Sequence, residues 1–247
     1  MPGVPIMKSH DLVNWEIISY VVDELKASPQ YDLEEGNVYG NGQWTTSLRY
    51  HNETFYVFFS TNKPHKSYIF STKNPAGKWD MVMEMDKLYH DASLFFDDDG
   101  RVYLAWGSAH INIIEFNSDL SSEKENGLNS LVIKGPEIGY PGLLEGTHLC
   151  KYDGKYYMFL IWWPPGGIRT QLCFRSDSIA GPYESKVILS VVLDGRGGGL
   201  AQGAIIVSED GRWLGFLFPD RGAVGRVPVL TPWRCEAGVP NLGELDG

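Results

Sequence analysis

His90-Asp91-Ala92-Ser93-Leu94-Phe95-Phe96-Asp97-Asp98-Asp99-Gly100-Arg101-Val102-Tyr103-Leu104-Ala105-Trp106 joins two apolar runs through a polar, glycine-ended turn, with one acid ahead of the first run. Two short runs rich in aromatic and branched residues around such a turn read as a β-hairpin. The same pattern recurs on either side. Arg49-Tyr50-His51-Asn52-Glu53 leads into Phe55-Tyr56-Val57-Phe58-Phe59, Asp153-Gly154 into Tyr156-Tyr157-Met158-Phe159-Leu160, and Asp210-Gly211 into Trp213-Leu214-Gly215-Phe216-Leu217. The spacing of about fifty residues is the size of one four-stranded propeller blade. An irregular β-sandwich is the competing architecture. A second repeated element favours the propeller: Ser71-Thr72-Lys73-Asn74-Pro75-Ala76-Gly77-Lys78-Trp79 and Arg175-Ser176-Asp177-Ser178-Ile179-Ala180-Gly181-Pro182-Tyr183 each follow a hairpin, as an outer-strand signature would. Met7-Lys8-Ser9-His10-Asp11-Leu12-Val13-Asn14-Trp15 repeats that signature with no hairpin before it. The expectation is therefore an all-β, five-bladed β-propeller with an incomplete first blade, formed by residues 1–247 as a single domain.

Near the start of the strand that leads into each turn stand Trp44, Asp91, Glu145 and Gln202. The innermost strands of a propeller line its central channel, so these four positions are expected to converge. Asp97, Asp98, Asp99, Asp153 and Asp210 lie where turn chemistry wants an aspartate. Asp91 and Glu145 do not, and each is followed by an apolar strand. Glycoside cleavage needs a carboxylic acid to protonate the leaving oxygen and a second carboxylate as base or nucleophile. A neighbouring Asp91 carboxylate would favour the protonated form of Glu145, which a general acid requires. An ion-pair network is the plainer explanation of the two acids. Trp44 shares their register and offers a flat face for a sugar ring, whereas Trp106, Trp162 and Trp163 read first as blade-to-blade packing. Arg221 follows the last hairpin and is expected either to reach substrate hydroxyls or to form a surface ion pair. His148 reads as a strand histidine. The run Gly195-Arg196-Gly197-Gly198-Gly199 lacks the lysine and hydroxyl residue of a phosphate loop and reads as a flexible rim loop.

Composition narrows the function further. A net charge of -10 and a pI near 5.0 argue against nucleic acid or an anionic membrane as partner, because both draw on clustered cations. With 43% hydrophobic residues the chain is globular in composition, and no apolar run approaches the roughly 20 residues of a membrane span. The three cysteines, Cys150, Cys173 and Cys235, are odd in number and form no C-x-x-C pair, so they read as thiols rather than a disulfide framework or zinc site. Met1-Pro2-Gly3-Val4-Pro5 is not a secretory leader, which points to the cytoplasm if the chain is complete. The partner expected is an oligosaccharide.

Several long segments, in order, resemble glycoside hydrolase family 43, the five-bladed β-xylosidases, α-L-arabinofuranosidases and arabinanases. They are PGVPIMKSHDLVNWEII from Pro2, QWTTSLRYHNETFYVFFSTN from Gln43, HDASLFFDDDGRVYLAWGS from His90, LLEGTHLCKYDGKYYMF from Leu143, SIAGPY from Ser178 and DRGAVGRVPVL from Asp220. The resemblance implies Glu145 as general acid, Asp91 as the residue that tunes and orients it, and Trp44 and Arg221 at the subsite for the non-reducing sugar. Gln202 falls where many members carry a histidine linked through water to a calcium ion, so the implied axial calcium meets a substitution here; no cofactor is otherwise required. The family's general base lies in an Asp-Pro-Asp segment ahead of the Pro-Gly-Val-Pro-Ile stretch, and that segment is not in this sequence. Members with two domains continue into a β-sandwich after the region of Pro232-Trp233, and none follows here. The implied activity is inverting hydrolysis of xylose- or arabinose-containing hemicellulose oligosaccharides, impaired if the base is absent. A sugar-binding propeller or inactive remnant without catalysis is the alternative from another class. Retaining fructan-cleaving propellers, whose acid follows Glu-Cys, fit less well because Glu145 precedes Gly146. An incomplete blade would leave strand edges unpaired and favour self-association.

Overall fold

Alternating and continuous apolar runs become strands throughout this computed structural model, which describes residues 3–195, 198–207, 212–236 and 239–242. A hairpin of β1 (Gly3–Lys8) and β2 (Glu16–Val22) comes first and forms a two-stranded sheet. Four antiparallel sheets follow, each with its four strands in chain order. They are β3 (Gln43–His51), β4 (Thr54–Asn62), β5 (His65–Thr72) and β6 (Asp80–Met85); β7 (Ser93–Phe96), β8 (Val102–Ser108), β9 (His110–Phe116) and β10 (Asn129–Lys134); β11 (Leu143–Tyr152), β12 (Lys155–Trp163), β13 (Thr170–Ser176) and β14 (Glu184–Leu189); and β15 (Ala201–Val207), β16 (Trp213–Phe218), β17 (Val229–Glu236) and β18 (Val239–Leu242).

The construction is all-β and propeller-like, with four blades where five are expected. The reason is strand number: a blade takes four strands, and β1 and β2 supply two. The three outer-strand signatures occupy equivalent places, in the connections β1–β2, β5–β6 and β13–β14. The hairpin turns follow the sequence as well. Asn52 and Glu53 take φ of 46° and 57°, and Asp153 and Gly154 take 49° and 72°, the paired positive values that two-residue hairpin turns require. The Asp210-Gly211 turn, Arg196 and Gly197 of the glycine run, and the side chain of Cys235 lie outside the described residues.

Contacts divide the chain into two compact units, with the division falling inside β8 and β9. The first unit takes in residues through Leu104 together with Ile114–Leu128. Its core packs Val4, Ile6 and Val21 of the hairpin onto Val57, Phe59 and Trp79. β4 is buried along most of its length, which accounts for a continuous apolar run rather than an alternating one. Arg49 of β3 donates to the Ser93 hydroxyl at 2.7 Å, and Ser47 accepts from the Leu94 amide at 3.2 Å, tying β3 to β7. A cleft beside β2, lined by Val21, Leu25, Lys66, Tyr68, Trp79 and Glu84 among others, holds none of the candidate site residues.

The second unit comprises Ala105–Ile113 and the chain from Asn129 onward. Tyr157, Phe159, Leu200, Ile205, Trp213 and Trp233 form its core. The buried ring of His148 bonds through Nε2 to the Ile205 carbonyl oxygen at 2.8 Å, which fits a strand histidine.

Candidate functional site

Three innermost strands share one device. The pairing register slips between Gln43 and Thr46 in β3, between Glu145 and His148 in β11, and between Ala201 and Gly203 in β15. Such bulges are common beside active sites, because the extra residue re-aims a side chain at the strand end. Trp44, Glu145 and Gln202 stand at these irregular steps. Asp91 precedes β7 by two residues and has its own unusual backbone, with φ of 46°. The positions singled out by the repeat are therefore those where the backbone departs from the regular ladder.

In the first unit, Asp91 is 8% exposed and accepts from the Thr45 hydroxyl at 2.5 Å. His90 Nε2 lies 3.9 Å from the other Asp91 carboxylate oxygen. Trp44 stacks edge-on with His90, ring centroids 5.7 Å apart, and donates its indole N–H to the Gly40 carbonyl at 3.2 Å. It nevertheless keeps 41% of its surface open, as a sugar platform would. Thr45 was not singled out by sequence; a threonine on a strand carries no signal until its partner is known.

In the second unit, Glu145 is partly buried and accepts from the Ser108 hydroxyl at 3.3 Å. Gly146 follows with φ of 71°. A β-carbon there would stand 3.0 Å from Gln202 Cγ, so the Gln202 side chain fills the space that Gly146 leaves. Gln202 itself is 8% exposed, with φ of 56°. Its amide donates to Gln171 Oε1 at 2.9 Å, and its own Oε1 faces Arg169 Nη2 at 3.4 Å.

Arg169, which the sequence reading passes over, is the buried cation of this unit among the described residues, at 2% exposure. Its guanidinium lies 4.7 Å from the centre of the Phe218 ring, and Arg226 approaches the same ring at 5.0 Å. Burial, followed by the charge of Arg226, pushes Arg169 below the usual arginine range, while Asp220 and Glu145 act in the opposite direction. The available signal was a lone arginine opening the apolar run Thr170-Gln171-Leu172-Cys173-Phe174. Arg221 caps a short 3-10 turn over Gly222–Val224, and its amide donates to the Gly225 carbonyl at 2.9 Å. Arg226, from the same DRGAVGR motif, is the one brought to Phe218. Trp162 is tied to the Pro141 carbonyl at 2.8 Å, whereas Trp163 remains 43% exposed.

For calcium, the residue to test is Gln202, where the resemblance places a histidine. The Gln202 carbonyl oxygen is turned toward a guanidinium. A divalent cation coordinated there would meet a like charge. The arrangement at Gln202 does not suit calcium, and no step below passes through a metal.

The sequence profile of glycosyl hydrolases family 43 matches residues 1–238. A Xylanibacter ruminicola protein with a provisional β-xylosidase name is 33% identical over 98% of this chain and 45% of its own length. A non-reducing end α-L-arabinofuranosidase of Bacteroides ovatus is 27% identical over 98% of this chain and 47% of its own. Among solved structures, a bifunctional GH43-CE protein of Bacteroides eggerthii has a TM-score of 0.89 and 40% identity, covering 99% of this chain and 31% of that one. The chain thus spans less than half the length of each of these relatives.

Proposed function

We propose, since the chain belongs to glycosyl hydrolases family 43, that it acts on xylose- or arabinose-containing oligosaccharides as an inverting glycosidase with Glu145 as general acid. The observation that carries this reading is Glu145 itself: a partly exposed carboxyl at a strand bulge, steadied by Ser108. A carboxyl so placed can exchange its proton with a substrate oxygen, which a fully enclosed one cannot.

In the reaction, Glu145 gives its proton to the glycosidic oxygen as the bond from that oxygen to the anomeric carbon breaks. A water attacks the anomeric carbon from the opposite face and loses its proton to a carboxylate base, which leaves the sugar inverted. The base is assigned to a carboxylate outside the residues named here. Asp91, held by Thr45 and His90, takes the orienting and tuning role. Trp44 offers its open face to the non-reducing sugar, and Arg221 a donor to its hydroxyls. Gln202, enclosed and bonded to Arg169, contributes from behind the contact surface.

Turnover of aryl β-xylosides and α-L-arabinofuranosides is the test. Glu145→Gln is expected to lower kcat/KM by about 10²–10⁴-fold, the usual worth of general acid catalysis. A retained rate would refute the assignment. Sugar binding with no turnover in either form would instead mark a binding protein.

The β1–β2 pair carries the outer-strand signature and is proposed to be the outer half of a fifth blade. Among the described residues β1 pairs with β2 alone. An open edge of this kind favours pairing between chains. Size-exclusion chromatography with light scattering is expected to show self-association, and a stable monomer at high concentration would count against it.

A further inference from the structure

The sheet of β3 to β6 is broader than the layer that lies on it. Val57 of β4 pairs with Phe70 of β5 and Phe59 with Tyr68, while Tyr68 and Phe70 pair in turn with Glu84 and Met81 of β6. Cross-strand partners point to the same side of a sheet, so these residues share one face. Val4, Ile6 and Val21 of the first hairpin cover the part of it on β4 and β5, where Val57, Phe59, Tyr68 and Phe70 are buried. The cover ends at β2. Met81 on β6 is 55% exposed, and Glu84 is exposed as well.

A cleft of about 840 Å³ occupies this step. An unbroken row of residues from Ile18 to Ala27 lines it, with Lys66, Tyr68, Phe70, Met81 and Glu84 among those facing them. The row includes residues from both faces of β2, so it is the backbone edge of the strand that borders the cleft. β2 ends its sheet: among the described residues it pairs with β1 alone. A strand in that position carries a row of N–H and C=O groups outside any ladder. An open edge and a largely apolar floor therefore meet in a cavity of the size that ligand sites have.

The charges around the cleft narrow what fits it. Lys26 pairs with Glu24 at 2.9 Å and Lys78 with Asp80 at 2.9 Å, while Lys66 pairs with Glu84 and, at 3.3 Å, with Asp86. Each lysine of the lining already has a carboxylate, so no cation waits there for an anion. The floor takes apolar side chains, and the edge takes backbone groups spaced as they are in a strand. An extended peptide supplies both, with every second residue turned to the floor.

We propose that this cleft docks an extended, uncharged segment of a separate polypeptide, which adds to β2 as a further strand and sets alternate apolar residues on Tyr68, Phe70 and Met81. The added strand would continue outward the packing that β1 and β2 already make on the same face. This proposal is independent of the glycosidase reading, and neither depends on the other.

The test is amide hydrogen exchange of the unaltered protein with and without a capped peptide that alternates valine with serine over seven residues, the length of β2. Saturating peptide is expected to slow exchange of amides in Glu16–Val22 at least tenfold and to leave β14, an end strand of the other unit, unchanged. The same peptide with every amide N-methylated has lost its donors and is expected to give no slowing. Met81→Asp sets a charge on the floor at an exposed position and is expected to raise Kd tenfold or more, read by fluorescence anisotropy of labelled peptide. No slowing in β2 at about 1 mM peptide overturns the proposal. Equal slowing in β14, equal binding of the N-methylated peptide, or an affinity of Met81→Asp within twofold does the same. Slowing in β2 that grows with protein concentration alone would give the cleft to a second copy, and slowing by xylohexaose would give it to a glycan. Either result overturns the assignment to a separate polypeptide and leaves the glycosidase reading standing.

Discussion

β11 and β15 begin in the same way and finish with opposite chemistry. Each opens on a bulge, each has a glycine with positive φ directly after the candidate residue, and both lie in the second unit. At the start of β11 the device presents Glu145, partly exposed and accepting from the Ser108 hydroxyl. At the start of β15 it presents Gln202, enclosed, with its backbone bonded to Gln171 and its side chain to Arg169. One backbone irregularity thus serves two ends. Where the side chain stays partly exposed, it keeps contact with solvent through which a proton can be taken up and released. Where it is enclosed, it becomes part of the wall against which the neighbouring strand is set.

The comparison breaks most visibly at its two glycines. A β-carbon on Gly203, at φ of 154°, would fall 1.7 Å from the Phe216 carbonyl oxygen, inside the ladder to β16. Gly203→Ala is expected to destabilise by about 3–6 kcal/mol, combining a strained φ with overpacking, as read from urea unfolding. Next comes the support of the Gln202 backbone. Gln171 is buried, accepts from the Gln202 amide and donates to the Leu160 carbonyl at 2.9 Å. Gln171→Ala leaves both partners unsatisfied and is expected to cost about 2–3 kcal/mol in the same assay. Gly146→Ala sets a β-carbon 3.0 Å from Gln202 Cγ rather than against backbone, so about 1–2 kcal/mol is expected from its φ. A cost equal to that of Gly203→Ala would mean that the start of β11 is as closely walled as that of β15. The smallest effect belongs to Ser108→Ala, a partly exposed contact whose loss should change stability by less than about 0.5 kcal/mol. A larger loss would show that Glu145 depends on Ser108 for more than orientation.

The strands and turns were legible because their signals are local. Period, aromatic content and positive-φ turn residues such as Asn52-Glu53 and Asp153-Gly154 act over a few residues, and the sheets form where those signals place them. The places of Trp44, Glu145 and Gln202 near the starts of β3, β11 and β15, and of Asp91 just ahead of β7, were legible through the repeat. Four complete blades stand among the described residues, beside the two-stranded β1–β2 sheet. The Met7–Trp15 signature identifies an outer pair, but pairing partners lie along a strand edge and cannot be counted from a signature.

What the sequence by itself determined is a succession of four-stranded meanders and the strand starts that carry the polar candidates, because both follow from short-range backbone preferences. Tertiary structure alone decided the rest: that Thr45 holds Asp91, that Gln202 is enclosed, and that Arg169 lies buried against Phe218 with one donor unused. Hydrogen bonds and desolvation depend on which distant residues come within a few ångströms. That information resides in the packing of sheet on sheet and not in the order of residues along any one strand.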